Sequence, residues 1–348
     1  MEQKGINNHE KEIDVVAIGN AIVDVLVYES DSFLEKNSLT KGSMALIDED
    51  EANKLYKSCG PGLETSGGSA ANTMAGLSQL GGKAGFIGRV KKDQLGEIFT
   101  HDICSTGAIY TTPAIVKGPS TARCFIFVTP DAQRTMCTFL GASVFLNPAD
   151  LDLSLVRKTK VLYLEGYLWD HDEAKNAFIT SAKECKLAGG KVALSLSDSF
   201  CIDRHRESFQ NLVENHVDIL FANESEIISL YESNDFESAK NIIKGKCEVS
   251  VLTRGKDGSL ILHRSKEYIV RPYKLGELLD TTGAGDIYAA GFLYGYTNNK
   301  DLYTCGKIGS FCAGHIVTQL GPRSRESLVK LLDEQLHLKD VNNPKEID

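Results

Sequence analysis

The fold is decided by four short apolar runs: VLYL (161–164), KVAL (191–194), DILF (218–221) and VSVL (249–252). Each run has the length and the aliphatic or β-branched composition of a buried strand. Segments with helical spacing separate the runs, over residues 171–187, 204–215 and 224–231. Because strands that alternate with helices form parallel βαβ units, the sequence predicts an α/β fold with a mainly parallel sheet covered by helices on both faces.

A second group of β-type segments interrupts this alternation. Residues 43–47, 121–129 and 134–140 have strand composition, and no helix separates the last two, which predicts an inserted antiparallel patch. The chain has no linker rich in Pro, Gly or Ser and no internal repeat. We therefore expect one domain over residues 1–348, with a small β lid from about 24–48 and 110–141 that shields a site from water.

Composition and charge exclude several classes of protein. Of the 348 residues, 42% are apolar, which is too many for a disordered chain. The 38 Lys and Arg residues oppose 47 Asp and Glu residues without a long basic run, so nucleic acid is not an expected partner. The first residues lack the apolar core of a signal peptide, and no apolar stretch is long enough to span a bilayer. We expect a cytoplasmic protein that does not associate with membranes.

The stretch DTTGAGDIYAAG (280–291) marks a candidate catalytic site. A glycine-rich turn before a helix of small residues presents unpaired backbone N–H groups and the positive end of the helix dipole, which together bind anions. Asp286 lies in the first helical turn, where a carboxylate either favours the helix or acts as a base beside the bound anion. The P-loop pattern is absent, and this turn lacks the dinucleotide pattern G-x-G-x-x-G, so P-loop and NAD chemistry are disfavoured.

A second glycine cluster, GGSAAN (67–72), opens a predicted helix that runs to about Leu80. Its two glycines allow a small polar ligand to approach the backbone, and Asn72 offers both a donor and an acceptor. The ordinary start of a helix would have the same composition. Taken alone, the cluster therefore leaves a binding role and a purely structural role open.

Taken together, these segments resemble the ribokinase-like (PfkB) family of carbohydrate and nucleoside kinases. That family has, in order, a glycine pair with a nearby asparagine, an N-x-x-E element and a D-T-x-G-A-G-D element. Here the three elements are residues 67–72, 223–226 and 280–286. The resemblance extends from about Val15 to Gly321 and is strongest to the adenosine kinase branch. It implies a three-layer αβα sandwich with a mainly parallel central sheet and a small antiparallel β lid.

The resemblance also implies a reaction, the transfer of phosphate from ATP to an alcohol. Asp286 would be the general base that takes the proton from a primary hydroxyl while the hydroxyl oxygen attacks the γ-phosphorus. The charge on the transferring group would be held by the backbone amides of Gly283, Ala284 and Gly285.

Metal ions and ATP are implied in the same way. Asn223 and Glu226 match the element that organises Mg²⁺ through water, and hard oxygen donors suit that ion. The family places a monovalent cation, K⁺, where Asp280 and Thr282 lie here. The residues that match the nucleotide-binding positions of the family are Asn223, Thr253, Gly255 and Gly258, and Ser310 is predicted to contact the nucleotide near a position that is often asparagine in the family.

The acceptor side depends first on Asp24, an acid inside an apolar strand. An unpaired buried carboxylate is costly and therefore needs donors. In the family, the matching aspartate accepts hydrogen bonds from two adjacent sugar hydroxyls, and Asn20 is close enough in sequence to reach the same ligand. Arg134 matches a lid arginine that reaches the phosphates, and Tyr167 matches an aromatic that stacks on the purine. The remaining predicted substrate contacts are Gly67, Gly68, Ser69 and Asn72.

Adenosine is the expected acceptor, phosphorylated on its 5′-hydroxyl to give AMP. A free sugar, as in fructokinase or ribokinase, stays open because residues 111–141 and the spacing after Gly258 depart from the adenosine kinase pattern. The alternatives differ in the pocket beside Asp24, which Tyr167 and Phe200 would roof for a nucleoside and polar groups for a sugar. A non-catalytic nucleotide-binding regulator is disfavoured because it has no use for Asp286. Monomer and homodimer both remain open.

Overall fold

A computed structural model describes residues 11–131 and 133–335, so the two ends of the predicted 1–348 domain, and Ala132 within the predicted lid, lie outside the described residues. The strands are β1 (Ile13–Ile18), β2 (Ile22–Tyr28), β3 (Met44–Leu46), β4 (Leu63–Gly67), β5 (Ala84–Ile87), β6 (Ile109–Tyr110), β7 (Ala122–Val128), β8 (Arg134–Phe139), β9 (Thr159–Glu165), β10 (Lys191–Ser195), β11 (Ile219–Asn223), β12 (Val249–Thr253), β13 (Ser259–His263) and β14 (Lys266–Val270). The helices are α1 (Asp31–Lys36), α2 (Glu49–Ser58), α3 (Ser69–Gln79), α4 (Gln94–Ser105), α5 (Leu153–Arg157), α6 (Asp172–Leu187), α7 (Ser199–His216), α8 (Glu224–Tyr231), α9 (Phe236–Ile243), α10 (Ala284–Thr297), α11 (Leu302–Ile316) and α12 (Leu328–Gln335).

The larger sheet has the strand order β14-β13-β12-β11-β10-β9-β1-β5-β6. The strands from β12 to β6 pair in parallel, and β13 and β14 add an antiparallel edge. The four apolar runs that open the sequence analysis form β9 to β12. The predicted α/β fold with a mainly parallel sheet is therefore confirmed.

Both faces of this sheet are buried, which accounts for the unbroken apolar runs. Along β1, Val15 and Ala17 pack on one face, in a core with α3 and α10. Val16 and Ile18 pack on the other face, in a core with α6 and α7. Side chains of a strand alternate between faces, so two covered faces favour apolar residues at successive positions, and the buried Ser250 of β12 is an exception. None of the helices in the described ranges is both long and apolar enough to cross a bilayer.

The second sheet has the order β3-β8-β7-β2-β4 and differs in part from the expected patch. It is mixed, because β2 pairs with β7 in parallel and β3 pairs with β8 in parallel, whereas the β7·β8 and β2·β4 pairs are antiparallel. It also includes β4, which lies outside the ranges 24–48 and 110–141. Because β1 leads almost directly into β2, this sheet is held close to the carboxyl edge of the larger sheet.

Candidate active site

A cavity of about 990 Å³ lies where the carboxyl ends of the parallel strands face the second sheet. Its lining includes Glu165, Ser195, Asn223 and Thr253, the last residues of β9, β10, β11 and β12. The carboxyl edge of a parallel sheet is the usual place for a ligand, and pockets for small molecules have volumes of roughly 300–1,000 Å³. The cavity is thus large enough to receive an acceptor and part of a nucleotide together.

Asp286 lies in this cavity, in the first turn of α10. The Ser69 hydroxyl donates to Asp286 Oδ1 at 2.6 Å, and Asn72 Nδ2 donates to Oδ2 at 3.3 Å. The glycine cluster at 67–72 and the motif at 280–291 therefore meet, although more than two hundred positions separate them. Burial raises the pKa of Asp286 to about 6, while the hydrogen bonds from Ser69 and Asn72 oppose this rise. The hydrogen bonds from Ser69 and Asn72 favour the ionised carboxylate, which is the form that can accept a proton.

The turn before α10 contains glycines that leave its backbone accessible to a ligand. Gly283 is the N-cap, with φ +74°, and a Cβ there would lie 2.4 Å from the Pro322 Cβ. Gly285 faces open space, with no atom within 4 Å of where its Cβ would be. Gly283, Ala284 and Gly285 all line the cavity, as the sequence predicts for an anion site. No side chain caps α10, so the N–H groups of its first turn have no side-chain acceptor, although the Ala284 N–H donates to the Thr281 carbonyl at 3.1 Å.

Arg134 of β8 connects the second sheet to this turn. Its Nη1 lies 2.5 Å from Asp280 Oδ2 and donates to Thr282 Oγ1 at 3.1 Å. Asp280 also accepts hydrogen bonds from the Thr282 N–H and Oγ1 and from the Gly321 N–H. In this conformation Arg134 therefore binds Asp280 and Thr282 of the turn before α10, and it is not among the residues that line the cavity.

Asp24 faces the cavity from β2 without a partner. Over the described residues, no donor makes a hydrogen bond to its carboxylate. Burial raises its pKa to about 7, the charge of Arg323 opposes the rise, and the charge of Asp286 adds to it. A ligand whose hydroxyl groups donate hydrogen bonds to this buried carboxylate would stabilise its ionised form.

The glycine pair makes room for neighbouring side chains and backbone. A Cβ at Gly67 would lie 2.3 Å from the Asp24 carboxyl carbon, and a Cβ at Gly68 would lie 2.4 Å from the Asn20 carbonyl oxygen. Gly68 lines the cavity, with φ +97°, whereas Gly67 lies behind Asp24 and is not among the lining residues. The expectation that both glycines offer bare backbone to substrate therefore fits only Gly68.

Asn20 lines the cavity, and its side-chain amide is hydrogen-bonded to the neighbouring residues Glu165 and Ser143. The Asn20 side chain donates to Glu165 Oε1 at 2.8 Å and accepts from Ser143 Oγ at 2.8 Å, and the residue is 1% exposed. The second Glu165 oxygen accepts from the Ala70 N–H at 2.8 Å. In this conformation the Asn20 amide supports Glu165 and Ser143, and its contact with a substrate stays a prediction. Glu165 itself was not predicted, although an acid directly after the run VLYL is a detectable signal.

Asn223 and Glu226 form a capping box at the start of α8. Asn223 Oδ1 accepts from the Glu226 N–H at 2.8 Å, and Glu226 accepts from both the backbone N–H and Nδ2 of Asn223. Burial raises the pKa of Glu226 to about 7, and the charge of Asp198 contributes. Both residues line the cavity and present oxygen atoms, the donors that Mg²⁺ prefers, although in this structure these oxygens accept the hydrogen bonds of the capping box. Within the described ranges, no group of three or more His, Cys, Asp or Glu residues forms a metal cage.

Two of the four other predicted nucleotide contacts reach the cavity. Thr253 and Gly255 line it at the end of β12. Gly258 lies beyond the turn, against the Val270 carbonyl, and Ser310 is buried in α11, where it donates to the Arg271 carbonyl at 3.0 Å. Neither residue lines the cavity. Gly258 allows the turn to pack against Val270, and the Ser310 hydroxyl is used by the Arg271 carbonyl.

The chamber around Asp24 is largely apolar. The second sheet contributes Ile22, Ile126 and Met136 to the lining, and Tyr167 and Phe200, which follow β9 and β10, form an aromatic wall of the same cavity. Tyr167 is 39% exposed and Phe200 is 73% exposed, so both aromatic rings are open to a ligand. Polar and charged side chains, among them Asp170, Asp198 and Arg204, line the same cavity.

Comparisons with known proteins give two kinds of relative. The profile of the family described as pfkB family carbohydrate kinase matches residues 44–328. A 5-dehydro-2-deoxygluconokinase from Bacillus licheniformis is 26% identical over 323 residues, 90% of this chain and 92% of that protein.

Among solved structures, a probable sugar kinase protein from Rhizobium etli is 47% identical with a TM-score of 0.85, over 93% of this chain and 98% of that one. The adenosine kinase from Sinorhizobium meliloti is 46% identical with a TM-score of 0.85, over 92% of this chain and 99% of that one. These relatives are named for a nucleoside acceptor or a sugar acceptor, and all of them are kinases.

Proposed function

This chain belongs to the PfkB family of carbohydrate kinases, phosphotransferases with an alcohol acceptor, and we propose that its acceptor is the 5′-hydroxyl of adenosine, with AMP as the product. One observation carries the proposal. The cavity that holds Asp286 at the start of α10 is also lined by Tyr167, Phe200 and Asp24, whose carboxylate accepts no hydrogen bond from the described residues. A nucleoside satisfies all of these features, because it has a flat base, two adjacent sugar hydroxyls and a primary alcohol.

Asp24 orients the sugar in this proposal. The 2′- and 3′-hydroxyls donate to the carboxylate, which the described residues leave without a donor. The base then lies between the apolar face of the second sheet and the two aromatic side chains, where stacking contributes about 1–3 kcal/mol. The 5′-hydroxyl is left to point toward Asp286.

Asp286 removes the proton in this proposal. A new bond forms between the 5′-oxygen and the γ-phosphorus, the bond from that phosphorus to the β,γ-bridging oxygen breaks, and ADP leaves. The hydroxyl proton passes to the Asp286 carboxylate, which Ser69 and Asn72 hold in place. The amides of Gly283, Ala284 and Gly285 stabilise the charge on the transferring group, the dominant contribution in phosphoryl transfer.

The nucleotide occupies the other end of the cavity in this proposal. Thr253 and Gly255 contact the phosphates, and Asn223 with Glu226 would hold Mg²⁺ through water. When bound, Mg²⁺ neutralises the negative charge of the phosphates. A K⁺ ion near Asp280 and Thr282 remains a prediction.

The second sheet serves as a lid in this proposal. Its apolar face supports the base, and Arg134 already contacts the turn that precedes the anion site. As the lid closes, Arg134 exchanges Asp280 for a phosphate oxygen and excludes water from the reacting groups.

A coupled assay of ADP release tests the acceptor. Adenosine, other nucleosides, ribose, fructose and 5-dehydro-2-deoxygluconate are compared at equal concentrations with ATP and Mg²⁺. The proposal predicts the highest kcat/KM for adenosine. The matched control is 5′-deoxyadenosine, which keeps the base and both sugar hydroxyls but has no attacking oxygen, and which should bind without releasing ADP.

A free sugar is the second candidate, and the names of the sugar kinase relatives favour it. A sugar would use Asp24 and Asp286 in the same way but would leave the aromatic wall without a base to contact. If ribose, fructose or 5-dehydro-2-deoxygluconate exceeds adenosine in kcat/KM, the adenosine proposal is wrong and the sugar kinase assignment replaces it.

A further inference from the structure

Arg323 lies behind the two acids of the cavity, in the segment between α11 and α12. Its guanidinium makes three hydrogen bonds: Nε to Asn72 Oδ1 at 3.2 Å, Nη1 to Asp102 Oδ2 at 2.8 Å and Nη2 to Ser66 Oγ at 2.8 Å. The Arg323 side chain is only 18% exposed. None of the family motifs in this chain includes Arg323, and it does not line the cavity.

The bond to Asn72 decides which way that amide points. A side-chain amide has an acceptor oxygen on one side and a donor nitrogen on the other. Because Arg323 offers only donors, it fixes the oxygen of Asn72 toward itself and thereby turns Nδ2 toward Asp286. If the amide flipped, an Asn72 oxygen would face the Asp286 carboxylate and repel it.

The guanidinium of Arg323 is also close to the second acid, because Ser66, to which it donates, pairs across the β2·β4 contact with Val23, the residue before Asp24. Asp24 has no hydrogen-bond donor among the described residues, and the titratable or charged groups that act on its carboxylate are Arg323, Asp286 and the Cys124 thiol. Of these only Arg323 is positive. Its charge therefore favours the ionised form of Asp24, the form that accepts hydrogen bonds from two hydroxyls.

Arg323 is in turn held from the side away from the cavity. Asp102 of α4 accepts a hydrogen bond from Arg323 Nη1, and it also accepts hydrogen bonds from the backbone N–H and the hydroxyl of Ser66. Ser66 lies in β4, two residues before the N-cap of α3. The guanidinium thus connects α4, β4 and α3 to the turn that follows α11.

We propose that Arg323 is a positioning residue for phosphoryl transfer: its fork holds Asn72 in the orientation that donates to Asp286, and its charge keeps Asp24 ready to bind the acceptor's hydroxyls. The inference rests on the proposed roles of Asp286 and Asp24, and it extends them to a residue that touches neither substrate nor nucleotide. The hydrogen bonds of the guanidinium fork should affect kcat, whereas its charge should affect the KM for the acceptor. Two variants of Arg323 therefore separate the two contributions.

Arg323→Lys keeps the charge and loses the fork. We expect kcat to fall about tenfold or more, the usual effect of losing one hydrogen bond that involves a charged group, with the KM for the acceptor within about threefold of the wild type. Arg323→Gln loses the charge as well, so the KM for the acceptor should also rise about tenfold. The KM for ATP should stay unchanged in both variants, which reports that the nucleotide end is folded.

The matched control is Arg325→Lys, because Arg325 is an exposed arginine two positions further along. It should behave as the wild type. A second variant, Asp102→Asn, weakens the support of Arg323 without touching the cavity, and we expect a smaller loss of kcat in the same direction.

The inference is overturned if Arg323→Lys and Arg323→Gln keep both constants within twofold of the wild type, or if they lower only the melting temperature. If the wild type phosphorylates a different alcohol, the adenosine assignment fails, and the same division between kcat and KM is then measured with that alcohol. The two failures are therefore distinguishable.

Discussion

Asp286 and Asp24 are two acids in one cavity with different neighbours. Asp286 is held by Ser69 and Asn72, whereas Asp24 has no hydrogen-bond donor among the described residues. Burial raises the pKa of each, to about 6 and about 7 respectively. Asp286, which Ser69 and Asn72 hold in one position, suits proton transfer. Asp24 suits the binding of a ligand whose hydroxyl groups supply the missing hydrogen-bond donors.

The direct test of the base is Asp286→Asn. The amide keeps the shape of the side chain but cannot take a proton, so kcat should fall by at least about 10²-fold. Adenosine binding, measured by calorimetry, should survive. Asp301→Asn makes the same chemical change at the N-cap of α11, outside the cavity, and should leave kcat unchanged because asparagine caps helices as well as aspartate does. Near-normal turnover of Asp286→Asn would remove Asp286 from the mechanism.

The pH dependence follows from the same two groups. Both acids work in the ionised form, and burial raises the pKa of each above its ordinary value of 3.8. Activity is therefore present above the folded pKa values and is lost on acidification. We expect kcat/KM for adenosine to fall as the pH is lowered through about 7 and then about 6, since this constant reports the free enzyme. A profile that stays flat down to pH ~5 would contradict the roles of both acids.

The site residues that could not be predicted are those whose contacts are with residues far away in the sequence. Asp286, Ser69 and Asn72 were predicted because each lies in a recognisable motif. Arg323 has partners that are 221 to 257 positions away, and no local pattern marks it. Ser310 was expected at the nucleotide and is instead buried, because its helix turns that side chain toward the Arg271 carbonyl.

At the scale of elements, the start of α3 depends on a carboxylate from another strand. Its N-cap, Gly68, has no side chain to cap the helix, and Glu165 at the end of β9 accepts the Ala70 N–H instead. The same carboxylate accepts two N–H groups of Asn20, in the connection between β1 and β2. Glu165 therefore joins the two sheets and the helix that positions Ser69 and Asn72.

Glu165→Gln should destabilise the protein. The new amide nitrogen would face either Asn20 or Ala70, and one buried donor would lose its acceptor, at a cost of about 1–3 kcal/mol in the free energy of unfolding. Denaturation by urea measures the change. Glu248→Gln removes an exposed charge that pairs with Lys191 and should change stability by less than about 0.5 kcal/mol. Equal effects from the two variants would argue against the bridging role of Glu165.

Strand composition explains which elements could be predicted. The buried strands β9 to β12 are continuous apolar runs, and their helices have clear apolar spacing. The strand β4 reads LETSG and has one strongly apolar residue, so only its pairing with β2 identifies it as a strand. The mixed pairing of the second sheet is also invisible locally, since the parallel β2·β7 contact joins segments about a hundred positions apart.

At the scale of the whole molecule, a net charge of −9 accompanies a site that must bind ATP. The positive potential is local. It comes from the first amides of α10 and from Arg134, with Arg323 behind the acids. The cavity opens between the two sheets, so a ligand that fills it contacts both and should stabilise the fold as a unit.

Thermal and chemical denaturation measure that coupling. Adenosine at about one hundred times its Kd should raise the free energy of unfolding by about 2.7 kcal/mol, because it binds only the folded state. Asp24→Ala should require a much higher adenosine concentration for the same effect. Ribose at the same concentration should produce no shift, because it lacks the base that contacts the aromatic wall. Stabilisation by ribose or fructose but not by adenosine would contradict the proposed chamber.

The transfer of labelled phosphate tests the central claim most directly. The protein is incubated with Mg²⁺, adenosine and ATP labelled at the γ-phosphorus, and the products are separated by chromatography. Our account predicts that the label appears in AMP, as its 5′-phosphate, and that Asp286→Asn forms at least about a hundredfold less of it. Label that passes only to a sugar such as ribose or fructose, or that leaves solely as inorganic phosphate, would contradict the account.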